Sequence, residues 1–349
     1  MATHASSCSE KQVDLQRSVR VLRIYLDGAY GIGKSTCASV MTESVLYPTL
    51  YAREPMAYWR RFFFPSDIVS DVYSTQERRR TGKISEEDAD AVTTSLQVRF
   101  ASPYLTLHAA TRALFGQETY TQQRPDITLI FDRHPIAAIL CFPAARYVVG
   151  DMSIEAFLAL ISTLPEDSSG ANIVVADITE EEHVRRLQGR NRRGEKIDMN
   201  LLRALRNIYI MLINTISYAR LRSQVSWRDD WDSIPTFDDT VRDRITSQRS
   251  YFISEPPQLR FSLLTLLKTP VICDGDGFVR RIHELAIDNL MNKLALLHVY
   301  YADFDNKTPK HCAESIRCMT SAMSVTTTSY TNVRVLEDLI RDFNNEMIM

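Results

Sequence analysis

An α/β fold, a parallel sheet flanked by helices, is predicted by three features of this 349-residue sequence. Short apolar runs alternate with long helical stretches, the pattern of strands covered on both faces. A glycine-rich phosphate-loop pattern lies between the first such run and the first helix. Several runs end in charged residues, and in sheets of this kind ligands sit beyond the carboxyl ends of the strands.

Taken in order, residues 1–18 are polar and read as a disordered leader, ahead of a single domain over 19–349. Val21-Leu22-Arg23-Ile24-Tyr25-Leu26 suits a buried strand, and Ser35 to about Leu46 has no Pro or Gly and can run as a helix. Further strands are expected at Leu50-Tyr51-Ala52, Ile127–Phe131 and Asn172–Ala176. Helices are expected over 85–115, 154–164 and 198–222, and again over 276–305 and 334–348. Segment 223–260, charged and broken by prolines, reads as a loop-rich insertion.

Composition narrows the function classes. Hydrophobic residues are 45% and charged residues 24%, ordinary for a globular protein, and the net charge of −2 offers no global attraction for nucleic acid or an anionic membrane. No apolar run reaches the roughly 18 residues of a membrane span. The six cysteines form no C-x-x-C pair, so reduced thiols in an intracellular protein are the simplest reading.

Gly28-Ala29-Tyr30-Gly31-Ile32-Gly33-Lys34-Ser35 fits G-x-x-x-x-G-K-[ST] in the strand–loop–helix context that gives the pattern physical meaning. Backbone N–H groups and a helix N-terminus cradle phosphates, Lys34 reaches the terminal ones, and the Ser35 hydroxyl ligates Mg2+. Arg53-Glu54-Pro55 and Asp132-Arg133-His134-Pro135 follow two of the expected strands. Glu54 is placed to take a proton from a hydroxyl attacking the γ-phosphate, against the plainer reading of an acid that starts a helix. Asp132 stands where a second Mg2+-organising acid is expected, Arg133 beside it can hold acceptor or phosphoryl group, and His134 reads as structural.

The densest charge run is Arg185-Arg186-Leu187-Gln188-Gly189-Arg190-Asn191-Arg192-Arg193-Gly194-Glu195. A solvated helix face and a nucleic-acid patch are the general readings of such a run. Behind a phosphate loop, a mobile lid that closes over the triphosphate competes with both, an effect worth about 10³–10⁵ in rate where arginines act this way. Gln97, Phe100 and Tyr104, at i, i+3 and i+7, share a helical face. The Gln97 carboxamide matches the edge of thymine or uracil, and with its amide flipped it matches cytosine as well.

Together these motifs resemble the thymidine kinases of the herpesviruses, the alphaherpesvirus branch in particular. The resemblance rests on Leu26-Asp27-Gly28 through Lys34-Ser35-Thr36, on Glu54-Pro55-Met56-Ala57-Tyr58-Trp59 and on Asp132 through Ala138. It continues through Cys141-Phe142-Pro143-Ala144-Ala145-Arg146-Tyr147 and the arginine run, and spans roughly residues 20–345. It implies a P-loop kinase fold with a lid segment, about 183–196, and additional helices. The activity implied is ATP- and Mg2+-dependent phosphorylation of the thymidine 5′-hydroxyl by a homodimer inside the infected host cell. Glu54 is then the general base and Arg133 a partner of the 5′-oxygen. Gln97 pairs with thymine, Trp59 and Tyr104 line the pocket, and Arg146 acts from the far side of the base. Tyr73 and Glu195 hold the sugar 3′-hydroxyl, while Arg186, Arg190 and Arg192 act from the lid. Phe100 and Phe142 fall where the base is sandwiched; Met and Tyr are familiar at these positions, so this chain departs from that pattern. Thymidylate and nucleoside analogues remain open as further substrates.

Overall fold

A computed structural model describes residues 18–43, 48–62, 65, 67–190, 196–221 and 226–348. Among them a sheet is built from β1 (Ser18–Asp27), β2 (Thr49–Ala52), β3 (Thr119–Tyr120), β4 (Ile127–Asp132), β5 (Ala171–Asp177), β6 (Leu297–Asp303) and β7 (Val325–Ser329). Its order is β2-β4-β1-β5-β6, all parallel. β1 lies in the middle, with Leu26 opposite Asp132 on one side and Asp27 opposite Val175 on the other. Every residue of β4 and β5 is buried, which explains their mostly apolar character. Parallel register brings the carboxyl ends of β1, β2, β4 and β5, and with them Asp27, Glu54, Asp132 and Asp177, to one edge of the sheet.

The helices are α1 (Lys34–Thr42), α2 (Ile68–Arg80), α3 (Glu86–Arg112), α4 (Phe142–Val148), α5 (Ile154–Ser162), α6 (Glu180–Arg190), α7 (Met199–Leu221), α8 (Asp239–Thr246), α9 (Arg281–Ala295), α10 (Pro309–Met319) and α11 (Tyr330–Ile348). Their starts follow local chemistry. Asp67 caps α2 by accepting from the Val69 and Ser70 N–H groups, and Ser85 and Ser153 cap α3 and α5 in the same way. The long helix α7 is buried along most of its length, including three polar residues that tie down the segment after it. Asn207 Nδ2 donates to Ile245 O at 2.7 Å, Asn214 Nδ2 donates to Phe252 O at 3.0 Å, and the Thr215 hydroxyl accepts from Leu263 N.

Three expectations change. The helix expected over 276–305 is α9 followed by the strand β6, with Leu297 opposite Ala171 and Asp303 opposite Asp177. No Gly or Pro marks that boundary, and only the β-favouring Val299-Tyr300-Tyr301 signals the strand. The sheet also carries antiparallel β7, threonine-rich and without apolar alternation, so that Ser18 pairs with Ser329 and β1 begins at the last residue of the expected leader. Residues 1–17 lie outside the described residues. In 223–260, of which 223–225 are outside the description, a 3₁₀ turn at Trp227–Ser233 and α8 bury Trp227, Trp231 and Tyr251.

Candidate active site

The phosphate loop leaves β1 at Asp27 and enters α1 at Lys34. Gly28, Gly31 and Gly33 all have positive φ, at 121°, 81° and 98°. Space adds a second requirement at two of them. A Cβ on Gly28 would stand 2.4 Å from Ala176 O, and one on Gly31 would stand 2.4 Å from the Leu187 side chain of α6. Lys34 is buried, and its ammonium donates to Ala29 O at 2.6 Å. Burial, with the Arg133 charge adding to it, pushes Lys34 down to about 7 against the opposing pull of Asp132, Glu54 and Asp27. Thr36 follows Ser35 in the first turn of α1.

Two acids and an arginine stand beside the loop. The Ser35 hydroxyl donates to Asp132 Oδ2 at 2.5 Å and the Tyr51 hydroxyl donates to the same oxygen at 2.8 Å. Arg133 has φ 84°, a left-handed conformation unusual for an arginine. That conformation accompanies a tightly held side chain. Arg133 Nη1 donates to Gly28 O at 2.7 Å and lies 3.4 Å from Asp27 Oδ1, its Nε is 3.6 Å from Glu54 Oε1, and its guanidinium lies 5.0 Å from the Phe142 ring centroid. Burial opposes its charge, yet Tyr209, Glu54, Tyr104 and Asp27 outweigh burial and keep it firmly protonated. Asp27 is fully buried and also accepts from the Tyr209 hydroxyl at 2.7 Å and the His134 backbone N–H at 3.0 Å.

A cleft of about 710 Å³, counting its open mouth, runs outward from Glu54 and Arg133. It is lined by Trp59, Tyr73, Gln97, Phe100, Tyr104, Phe142 and Arg146 as well. Two π-helical turns shape it, Tyr58–Phe62, which buries Trp59, and Ala137–Cys141, which leads from the Asp132–Pro135 run into α4. Trp59 packs edge-on to Phe100 (5.2 Å) and Tyr104 (5.8 Å). Gln97 Nε2 donates to Ala138 O at 2.8 Å, which fixes which end of the carboxamide carries the nitrogen. Trp59 Nε1 and the Tyr104 hydroxyl are buried without hydrogen-bond partners among the described residues, so this aromatic wall keeps unused polar atoms.

Where the lid was expected to begin, α6 docks on the loop. His183 Nε2 donates to Tyr30 O at 2.7 Å, and Arg186 donates to Ile32 O at 2.6 Å and Phe304 O at 3.1 Å. Arg190 approaches Gly31, its Nη1 3.8 Å from where a Cβ would be. Arg192 and Glu195 lie outside the described residues, as does 191–195 of the expected lid.

His134 takes the structural role. Its Nδ1 accepts from the Ile136 N–H at 3.1 Å, so Nε2 carries the proton and donates to Asp167 at 2.7 Å. His108, His134 and Asp167 cluster closely enough to suggest a metal, but a protonated Nε2 cannot ligate one, and Arg23 already pairs with Asp167 at 3.3 Å. Sequence reasoning passed over four polar partners at the site: Tyr51, Asp151, Tyr209 and the Ala138 carbonyl. Asp151 is buried and accepts from Arg146 at 3.2 Å and Arg79 at 3.1 Å, with Arg80 at 3.5 Å. Its position after Gly150 in a run of few acids was the one available signal.

Comparisons with known proteins place the chain in a family. The family model for thymidine kinase from herpesvirus matches residues 28–304. The chain is 44% identical to the thymidine kinase of equine herpesvirus 1 (strain Ab4p) over 336 residues, 95% of this chain and 94% of that one. It is 45% identical to the thymidine kinase of suid herpesvirus 1 (strain NIA-3) over 312 residues, 89% of this chain and 95% of that one. The crystal structure of EHV4-TK complexed with Thy and ADP superposes with a TM-score of 0.90 at 44% identity, over 96% of this chain and 100% of that chain. On these grounds the chain belongs to the herpesvirus thymidine kinases.

Proposed function

We propose that this protein transfers the γ-phosphoryl group of ATP to the 5′-hydroxyl of thymidine. The observation that carries the reading is one continuous site: the nucleoside-sized cleft ends at Glu54 and Arg133, and Arg133 is bonded to Gly28 of the phosphate loop. Donor and acceptor thus meet where a carboxylate and a guanidinium converge.

In this reading thymine lies between Phe100 and Phe142, paired with Gln97, with Trp59 and Tyr104 along the wall and Arg146 on the far side. Tyr73 and Glu195 hold the sugar. Glu54 accepts the proton of the 5′-hydroxyl as its oxygen attacks phosphorus. Arg133 orients that oxygen and meets charge on the transferring group, and Lys34 with Arg186, Arg190 and Arg192 neutralises the triphosphate. The main-chain N–H groups of Gly28 to Thr36 wrap the phosphates.

A divalent cation fits the residues present. Asp132 Oδ1 is buried with no hydrogen-bond partner among the described residues, and Ser35 lies against the same carboxylate. Ser35 and Asp132 would hold Mg2+, which would supply charge neutralisation across the β- and γ-phosphates. A homodimer at work inside the infected host cell completes the proposal; it is supported by family resemblance alone. The test is ADP release by purified protein given ATP with thymidine, deoxycytidine, deoxyguanosine or thymidylate in turn. Thymidine-dependent turnover is expected, and ATP turnover indifferent to every nucleoside overturns the reading.

A further inference from the structure

The two oxygens of the Asp132 carboxylate are treated differently. Asp132 is only 3% exposed. Its Oδ2 accepts two hydroxyl donors, Ser35 at 2.5 Å and Tyr51 at 2.8 Å, and its Oδ1 accepts none among the described residues. A buried carboxylate oxygen is normally satisfied, so the unpaired one points to a ligand. Ser35 gives its proton to Oδ2 and therefore keeps its lone pairs for another partner.

Tyr51 comes to this carboxylate from the neighbouring strand. Its backbone pairs opposite Ile130 in β4, two residues before Asp132, and its carbonyl accepts from Asn344 Nδ2 of α11 at 2.8 Å. Sheet and helix thus hold the phenol in place. Nothing in the phosphoryl-transfer chemistry itself calls for a tyrosine here.

We propose that Tyr51 is a positioning residue for the divalent cation: its hydroxyl commits Asp132 Oδ2, fixes the carboxylate plane and presents Oδ1 to the metal beside Ser35. The inference rests on the nucleotide reading of the phosphate loop. Hydrogen bonds from outside the coordination sphere fix ligand orientation, and losing one typically weakens metal affinity by about 10–100-fold.

The experiment is an electron paramagnetic resonance titration of Mn2+ into the full-length protein with ADP, for wild type and Tyr51→Phe. About tenfold or greater weakening of Mn2+ binding is expected, with thymidine affinity and melting temperature held near wild type. Tyr51→Leu, a second variant without the hydroxyl, should show the same loss. Mn2+ affinity within about twofold of wild type in both variants overturns the proposal, as does a lower melting temperature with unchanged affinity. If wild type with ADP binds no more Mn2+ than ADP alone, the nucleotide reading itself fails, an outcome distinct from a wild type that binds and a variant that binds equally.

Discussion

Arg133 Nε lies 3.6 Å from Glu54 Oε1 while Nη1 of the same guanidinium donates to Gly28 O. One side chain therefore spans the gap between Glu54 and the phosphate loop. Only a planar fork with several donors can hold these partners at once. Arg133→Lys keeps the charge and loses the fork. Turnover should fall about 10²-fold, the scale on which positioned transition-state donors act, with ADP affinity changed far less. Steady-state kinetics with separate ADP titration checks it, and near-normal turnover refutes the bridging role.

Lys34 sets a pH dependence. Its folded value of about 7 lies below the ordinary 10.5, so between these limits the unfolded chain holds a proton that the folded protein lacks. On this group's account stability rises with pH across that window. A bound phosphate reverses the preference by restoring the ammonium. ADP binding above pH 7 should take up close to one proton, and affinity should fall by about tenfold per pH unit there. Calorimetry in buffers of different ionisation enthalpy measures the uptake. Binding without proton uptake at pH 8 contradicts it.

Gln97 is anchored on Ala138 O, so its free polar edge has a fixed order of donor and acceptor. Gln97→Leu removes that edge and leaves the Ala138 carbonyl unpaired. Thymidine should bind about 10–100-fold more weakly, corresponding to 1–3 kcal/mol for buried partners left unmatched. ADP binding should be untouched. Equal thymidine affinity in the variant removes Gln97 from base recognition.

Asp151 draws Arg79, Arg80 and Arg146 together from two helices. Asp151→Asn weakens the pull on Arg146 without emptying the space. The KM for thymidine should rise about tenfold, the value of one charge-assisted bond, with kcat within about twofold. A fall in kcat at constant KM would mean that Arg146 acts on the chemical step.

Legibility in the sequence followed periodicity and punctuation. β4, β5 and the last seven residues of β1 are buried, so these runs are mostly apolar and plain to read. The phosphate loop was legible because its glycines answer to positive φ and to contacts such as Ala176 O. β6 was hidden because α9 passes into it without a breaking residue, and β7 because threonines carry no apolar alternation. Glu54, Arg133 and the Gln97, Phe100 and Tyr104 face of the cleft were nameable from their own pattern, Trp59, Tyr73, Phe142 and Arg146 only through the family resemblance, and their supports not at all. Tyr51 and Tyr209 look like ordinary core aromatics in sequence, and only long-range packing brings their hydroxyls to Asp132 and Asp27. Gln97's partner is a main-chain carbonyl, which no side-chain pattern can announce.

Glu54 is expected to take the proton as phosphoryl passes from ATP to thymidine. The most direct test is single-turnover transfer of label from γ-labelled ATP to thymidine by wild type and Glu54→Gln, with thymidine binding measured in parallel. Label should appear in thymidine 5′-monophosphate with the wild type. In the variant the rate should drop about 10²-fold or more at unchanged thymidine affinity. Transfer by Glu54→Gln at the wild-type rate would contradict the account.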